Sequence, residues 1–279
     1  MNQRAMTVER PGLQSLVVDC GRFGLRHEGV GWCGAMDSRS YALANDLTGN
    51  RPGAAAIEIV LGDTIVTFEA DVRFALTGAD CNAQLDGAPI ANWTSYDAKA
   101  GARLLLQRPQ AWMRTYLAVD GGFDVPLVLG SRTTDLLASM GGLEGRALRA
   151  GDRLPIGAPT PSPRRPPRAA PTIDFVLRTI AQPLARHVWG RTWTVGHESN
   201  RMGYRLCGNA QPHEQGATRS YAVFPGFIQL PPSGEPIVLM SDCQTTGGYP
   251  LAGVVVEDDL WMLAQAPIGT EIRFTEHLP

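Results

Sequence analysis

Between Pro155 and Pro171 the chain reads P-I-G-A-P-T-P-S-P-R-R-P-P-R-A-A-P. Each proline fixes φ and removes a backbone donor, so this density builds neither a helix nor a central strand. It favours an extended, semi-rigid polyproline segment. The segment divides the 279 residues into an N-terminal domain, 1–157, a linker, 158–171, and a C-terminal domain, 172–279. Each flank is large enough to bury its own core.

Both flanks are written mostly in short strands. Before the linker, β-branched or alternating runs fall at 16–18, 56–61, 64–68, 72–76, 103–107 and 113–119, with glycine turns at Gly62, Gly87 and Gly101. One helix is expected at 38–48: Asp37 or Ser38 caps it, Tyr41, Ala44 and Leu47 share a face, and Asn50 ends it. After the linker, strands are expected at 173–177, 193–195, 204–206, 227–230, 237–241 and 271–275, with short helices at 183–188 and 258–263. The chain is therefore read as mainly β, with two barrel-like or sandwich-like subdomains and few short helices.

Composition removes several function classes. Net charge is −2 and no basic stripe is present, which argues against nucleic acid. The apolar runs are strand-length, so no membrane span is expected, and the absence of an apolar signal core before Asp19 points to the cytoplasm. Lys99 is the sole lysine and sits in a turn-like DAKAG, so there is neither a Walker A loop nor a lysine to carry biotin covalently. The five cysteines form no C-x-x-C pair and read as reduced thiols. Cys243 has no base or positive charge near it in sequence to make it a nucleophile. His27, His187, His197, His213 and His277 show no ligand spacing, so no metal site is expected.

Two segments concentrate polar chemistry. Gln244-Thr245-Thr246-Gly247-Gly248-Tyr249-Pro250 follows an apolar strand and offers neutral donors and acceptors, an aromatic wall and close backbone approach. It suits a small amide, a carboxylate or a phosphate in a backbone nest, and it reads equally as a tight turn. Ser199-Asn200-Arg201-Met202-Gly203-Tyr204-Arg205 adds an amide, two guanidinium groups and a phenol. Arg201 and Arg205 are either a carboxylate clamp or surface ion pairs. Gln229 interrupts the apolar run 227–230; its phase against Ile228 and Leu230 favours the exposed face. In the first half, Asp37 reads as a helix cap, Asp80 as a turn residue, and Arg132 with Asp135 as an internal ion pair.

SNRMGYR and QTTGGYP, separated by FIQLPPSGEPIVL, resemble the C-terminal half of the allophanate hydrolase subunit 2 family. DCGRFGLRHEGVGWCGAMD, ALTGAD, YLAVDGGFDVPLVLGSRTTDL and GGLEGRALRAGDRLPIG agree with its front half, in collinear order. The resemblance implies a cyclophilin-like barrel after the linker. It also implies ATP-dependent opening of a cyclic amide, 5-oxoproline to glutamate, together with a homologous subunit 1 (the B subunit) and a third, hydrolase component (the A subunit). ATP would be held by a partner or at an interface, and the isolated chain would be inactive. The family also contains components that act on urea-type amides with biotin supplied in trans, and non-enzymatic regulators. On this reading Asn200, Arg201, Tyr204, Gln229, Gln244, Thr245, Thr246 and Tyr249 bind substrate. Arg22, Gly247 and Gly248 approach phosphate, and no residue offers itself as general base. Tyr221, Ala222 and Cys243 depart from the family's usual acidic residue, glycine and arginine, and Val18 stands where a glutamine is common.

Overall fold

The computed structural model describes residues 4–159, 161–212 and 219–277; His213 lies outside them. The chain forms two compact units, Met1–Arg22 with Cys33–Pro171, and Phe23–Trp32 with Thr172–Pro279. Ten residues from the N-terminal half, 23–32, thus belong to the C-terminal unit, and 158–171 groups with the first unit.

The first unit is built on a six-stranded and a five-stranded sheet. In the larger sheet, Ala5–Pro11 pairs with Arg153–Pro155 on one side and Thr64–Phe68 on the other, followed by Arg103–Leu106. In the smaller sheet, Ala56–Val60 lies between Gln14–Val18 and Arg114–Val119, which continues to Val72–Gly78 and Thr94–Ala98. Val17, Leu117 and Val119 enter one core with Met6, Val66, Phe68 and Leu104 of the larger sheet. Their neighbours Leu16, Val18, Tyr116 and Ala118 turn the other way, onto Tyr41 and Ala44 of the helix Ser38–Thr48. Period-2 alternation therefore builds two cores, one on each face of the smaller sheet. Asp37 caps the helix by accepting from the Ser40 N–H (2.8 Å). The helix ends on Gly49 rather than Asn50, because Gly49 adopts the left-handed conformation (φ 77°) that closes a C-terminus.

Proline keeps 158–171 out of the sheets, but its polar groups dock on the first unit. Arg164 donates to the Ser95 carbonyl (2.9 Å), Arg168 N–H to the Trp93 carbonyl (2.8 Å), and the Arg168 guanidinium pairs with Asp46 (3.2 Å). The expected linker is a strap.

The second unit is a closed barrel of seven strands: Val176–Ala181, Leu251–Val255, Phe227–Gln229, Ile237–Leu239, Gly203–Gly208, Thr192–Val195 and Glu271–Glu276. Val176–Ala181 and Glu271–Glu276 close it in parallel; its other pairs are antiparallel. Tyr221–Ala222 and Thr246–Gly247 form a separate two-stranded ribbon. The helix Glu257–Ala264 is tied to the barrel by Asp259, which accepts both arms of the Arg178 fork (2.9 and 2.7 Å). The helix expected at 183–188 is a single 3-10 turn, Ala185–His187. Among the described residues, no helix is long and apolar enough to cross a membrane.

Candidate functional site

In the second unit the loop 244–249 is held by its backbone. The Val223 N–H donates to the Thr245 carbonyl (3.1 Å), and Tyr221 pairs with Gly247 across the ribbon. The Tyr221 hydroxyl donates to the Tyr249 carbonyl. Neither Gly247 nor Gly248 adopts a positive φ. A backbone nest alternates right- and left-handed residues, so the expected phosphate nest is not formed. Gly247 is required for a different reason: a Cβ there would sit 2.4 Å from Gln229 Nε2 and 3.0 Å from Val223 Cγ1.

Gln229 is buried, at 2% exposure, against the expectation from its phase. A register shift between Ile228 and Gln229 explains the difference, because a bulge turns consecutive residues towards one side. Its Nε2 has no hydrogen-bond partner among the described residues and lies against Gly247.

Arg201 is committed. Its Nε and Nη2 donate to Asp242 at 2.8 and 2.9 Å, and the pair is almost fully buried. The expected clamp on a ligand carboxylate is here an internal bidentate pair that joins the 199–205 segment to the start of the 244–249 loop. Asn200 is exposed, and its side-chain oxygen accepts from the Met202 N–H (2.8 Å), an Asx turn. Tyr204 is buried at 2% exposure. Arg205 pairs with Glu198 at 3.4 Å on an exposed face. Gln244 and Thr245 are half-buried, and Thr246 and Tyr249 are exposed. Of these residues, Arg205 and Tyr249 line a cavity of about 430 Å³ with His197, Glu198 and Ile237. The structure therefore gathers Gln229, Gln244, Thr245, Thr246, Gly247 and Tyr249 around one ribbon. Asn200 and Arg201 act as scaffolding beside it.

Arg26 is the residue that the sequence did not flag. Its guanidinium lies 5.3 Å from the Trp32 ring centroid and 4.8 Å from that of Phe224. Its Nη2 donates to the carbonyls of Val223 and of Gln244, the latter at 2.9 Å. It also faces Cys243, so that thiol does have a positive charge beside it, supplied from far away in sequence. Burial still wins: it pushes the Cys243 thiol up to about 11, against the pull of Arg26, so the group is neutral and inert near neutrality.

The first unit holds the other family motif. Asp19 accepts from the Gly21 N–H (2.9 Å), the Ser131 hydroxyl (2.6 Å) and the Arg132 N–H (2.5 Å). Arg22 is fully buried, with Nε on the Val128 carbonyl (3.0 Å) and Nη2 on the Thr133 carbonyl (2.6 Å). The expected phosphate role is corrected: two arms of Arg22 pin the 128–133 loop, and no atom of its side chain meets solvent. Arg132 pairs with Asp124 (2.8 Å) instead of Asp135, whose carboxylate caps the N–H groups of Leu137 (3.0 Å) and Ala138 (2.9 Å). Asp80 accepts from the Asn82 N–H (2.9 Å), the turn role expected. Beneath the helix, Glu58 accepts from the Met36 N–H (2.8 Å) and the Tyr116 hydroxyl (2.7 Å), and Arg114 lies 3.4 Å away. A cavity of about 520 Å³ opens beside Asp19, lined by Cys20, Tyr41, Asn45 and Arg165.

This chain is 44% identical to the C subunit of 5-oxoprolinase from Escherichia coli, over 97% of its own length and 91% of the relative's. It is 40% identical to the C subunit of 5-oxoprolinase from Haemophilus influenzae, over 94% and 87% of the two chains. Its fold superposes on the solved urea carboxylase of Kluyveromyces lactis with a TM-score of 0.91 at 29% identity, covering 99% of this chain and spanning 28% of that one. Residues 28–276 match the family described as carboxyltransferase domain, subdomain A and B. A match across both the sandwich and the barrel, with full-length relatives beside it, places the chain plainly: it belongs to the carboxyltransferase domain family, subdomains A and B.

Proposed function

We propose that this chain is the C subunit of a multi-subunit, ATP-dependent 5-oxoprolinase, which converts 5-oxo-L-proline to L-glutamate. The observation that carries the reading is the 44% identity to the Escherichia coli 5-oxoprolinase C subunit along nearly the whole of both chains. The physical demand of such a reaction suits the second unit. A lactam carbonyl is a poor electrophile; transfer of a phosphoryl group to its oxygen makes that oxygen a leaving group. Water then adds at the carbon, the ring C–N bond breaks and the nitrogen takes up a proton, which leaves an acyl phosphate; a second water hydrolyses it to the carboxylate and inorganic phosphate. What a protein contributes is placement and hydrogen-bond donors aimed at developing negative charge. Gln244 and the hydroxyls of Thr245 and Thr246 on the 244–249 loop, with Gln229 on the barrel strand against Gly247, are neutral groups of that kind.

The chain has no lysine in a phosphate loop and no nest at Gly247-Gly248. In this reading a partner protein therefore holds the nucleotide, and the isolated chain is silent. The homologous B subunit and a third, hydrolase component, the A subunit, are the proposed partners, and the complex works in the cytoplasm. The test is co-expression with the neighbouring subunits, followed by ATP hydrolysis with and without 5-oxo-L-proline. The reading expects substrate-stimulated turnover by the complex and none by the chain alone. Robust turnover by the isolated chain, or a complex indifferent to 5-oxoproline, counts against it. The likeness to urea carboxylase supplies a second reading, transfer to a urea-type amide; dependence of turnover on a biotinylated protein would favour that one.

A further inference from the structure

Arg26 is a cation without a carboxylate. It forms no ion pair among the described residues, and its Nη1 is buried with no hydrogen-bond partner. Neither nearby carboxylate pairs with it. Asp242, next to Cys243, is closed by the Arg201 fork at 2.8 and 2.9 Å, and Glu28 lies 3.3 Å from His27. What faces the guanidinium is two aromatic rings, two backbone carbonyls and the neutral Cys243 thiol, a weak acceptor that also interacts with it. Aromatic faces and carbonyls attract a cation but carry no countercharge.

A second observation points the same way. Gln229, on the neighbouring barrel strand, brings a buried and unpartnered Nε2 against Gly247, where an added Cβ would sit 2.4 Å from it. The Gln244 carbonyl that Arg26 holds and the Gly247 that Gln229 touches are three residues apart on one loop. The spare hydrogen-bonding capacity at this loop is thus donor capacity, one donor neutral and one positively charged. A ligand that satisfies it presents acceptor oxygens and carries negative charge opposite the guanidinium.

We propose that Arg26 is the anion-binding residue of the second unit, taking an anionic oxygen, carboxylate or phosphoryl, of the ligand admitted at the 244–249 loop. The stretch Phe23–Trp32 supplies this charge to a barrel whose strands all begin after residue 172. The proposal rests on the functional reading above only for the choice of 5-oxo-L-proline as one probe. Calorimetric titration of the full chain, purified with its co-expressed subunits, uses 5-oxo-L-proline in one arm and inorganic phosphate in the other. Wild type is expected to bind at least one of them, more weakly as salt is raised. Arg26→Gln is expected to weaken that binding at least tenfold. A loss confined to 5-oxo-L-proline assigns the carboxylate; a loss confined to phosphate assigns the phosphoryl group. Should Arg26→Gln not fold, Arg26→Lys decides instead; it keeps the charge but loses the fork and is expected to bind at least fivefold more weakly. Wild-type affinity in the folded variants, or no binding of either anion by wild type, overturns the proposal. Absence of 5-oxoproline-stimulated turnover alongside Arg26-dependent phosphate binding would sink the functional reading and leave this one standing.

Discussion

Glu58 and Gln229 are both polar side chains on interior strands, at 0% and 2% exposure, and they are treated in opposite ways. Around Glu58 the first unit assembles the Met36 N–H, the Tyr116 hydroxyl and the Arg114 guanidinium. The Tyr116 oxygen in turn accepts from the Asp37 N–H at 2.8 Å, which sets the start of the helix. Around Gln229 the second unit assembles nothing for Nε2, and it places the unpaired Arg26 Nη1 behind the same loop. A buried carboxylate that accepts from two donors and lies beside a guanidinium holds a structure in one arrangement. Buried donors left unpaired cost stability, and those at a loop rich in hydroxyls and amides are placed to meet a ligand's acceptors. The first network is architecture; the second is reserve.

The largest effect is expected at Glu58. Glu58→Ala removes the carboxylate 3.4 Å from the buried Arg114 guanidinium, and removal of one member of such a pair costs about 3–5 kcal/mol. Urea denaturation should show that loss; a variant as stable as wild type would mean that the network carries no structural load. Tyr116→Phe removes one hydroxyl that both donates and accepts, and should cost about 1–3 kcal/mol by the same measurement. Gly247→Ala tests the other side. Its Cβ would meet Gln229 Nε2 at 2.4 Å, so the amide must move, with an expected stability cost of about 1–3 kcal/mol. Turnover by the complex should fall with it, and unchanged turnover would show that the position of Gln229 is immaterial.

A smaller effect is expected at the cysteines. Cys20 and Cys207 are exposed, whereas Cys33, Cys81 and Cys243 are buried. With its thiol pushed up to about 11, Cys243 is only about one part in a thousand thiolate at pH 8. Thiol titration of the native protein should therefore count the two exposed groups quickly and Cys243 only after unfolding. Fast labelling of Cys243 would show that the loop over it opens.

Much of the β framework was legible because alternation is local. Leu16-Val17-Val18 and Tyr116-Leu117-Ala118-Val119 announce strands, and the structure uses both their faces. Ala5–Pro11 was missed because Met6 and Val8 are its main apolar beats among charged residues. Leu251–Val255 was missed because Gly253 interrupts it; that glycine lets the strand pass 3.3 Å (from an added Cβ) to the Ile180 carbonyl. The 244–249 loop was visible from its glycines and hydroxyls. Two of its determinants were not. The burial of Gln229 depends on a bulge, which alternation by itself cannot report. Arg26 reaches Gln244 from 218 residues away, a contact that neither spacing nor composition encodes. The arginines of 158–171 likewise turn a linker into a strap through partners fixed only by the tertiary fold.

Whether the second unit keeps Gln229 Nε2 unpaired for a ligand is decided by Gln229→Met. Methionine fills similar volume without the amide. Stability by urea denaturation and substrate-stimulated turnover of the complex are measured on the same preparation. Stability is expected to be unchanged or raised, by up to about 1–3 kcal/mol, because an unsatisfied polar group is removed, while turnover collapses. A variant that loses stability and keeps its turnover per folded molecule would contradict that role, because Gln229 would then be architecture like Glu58.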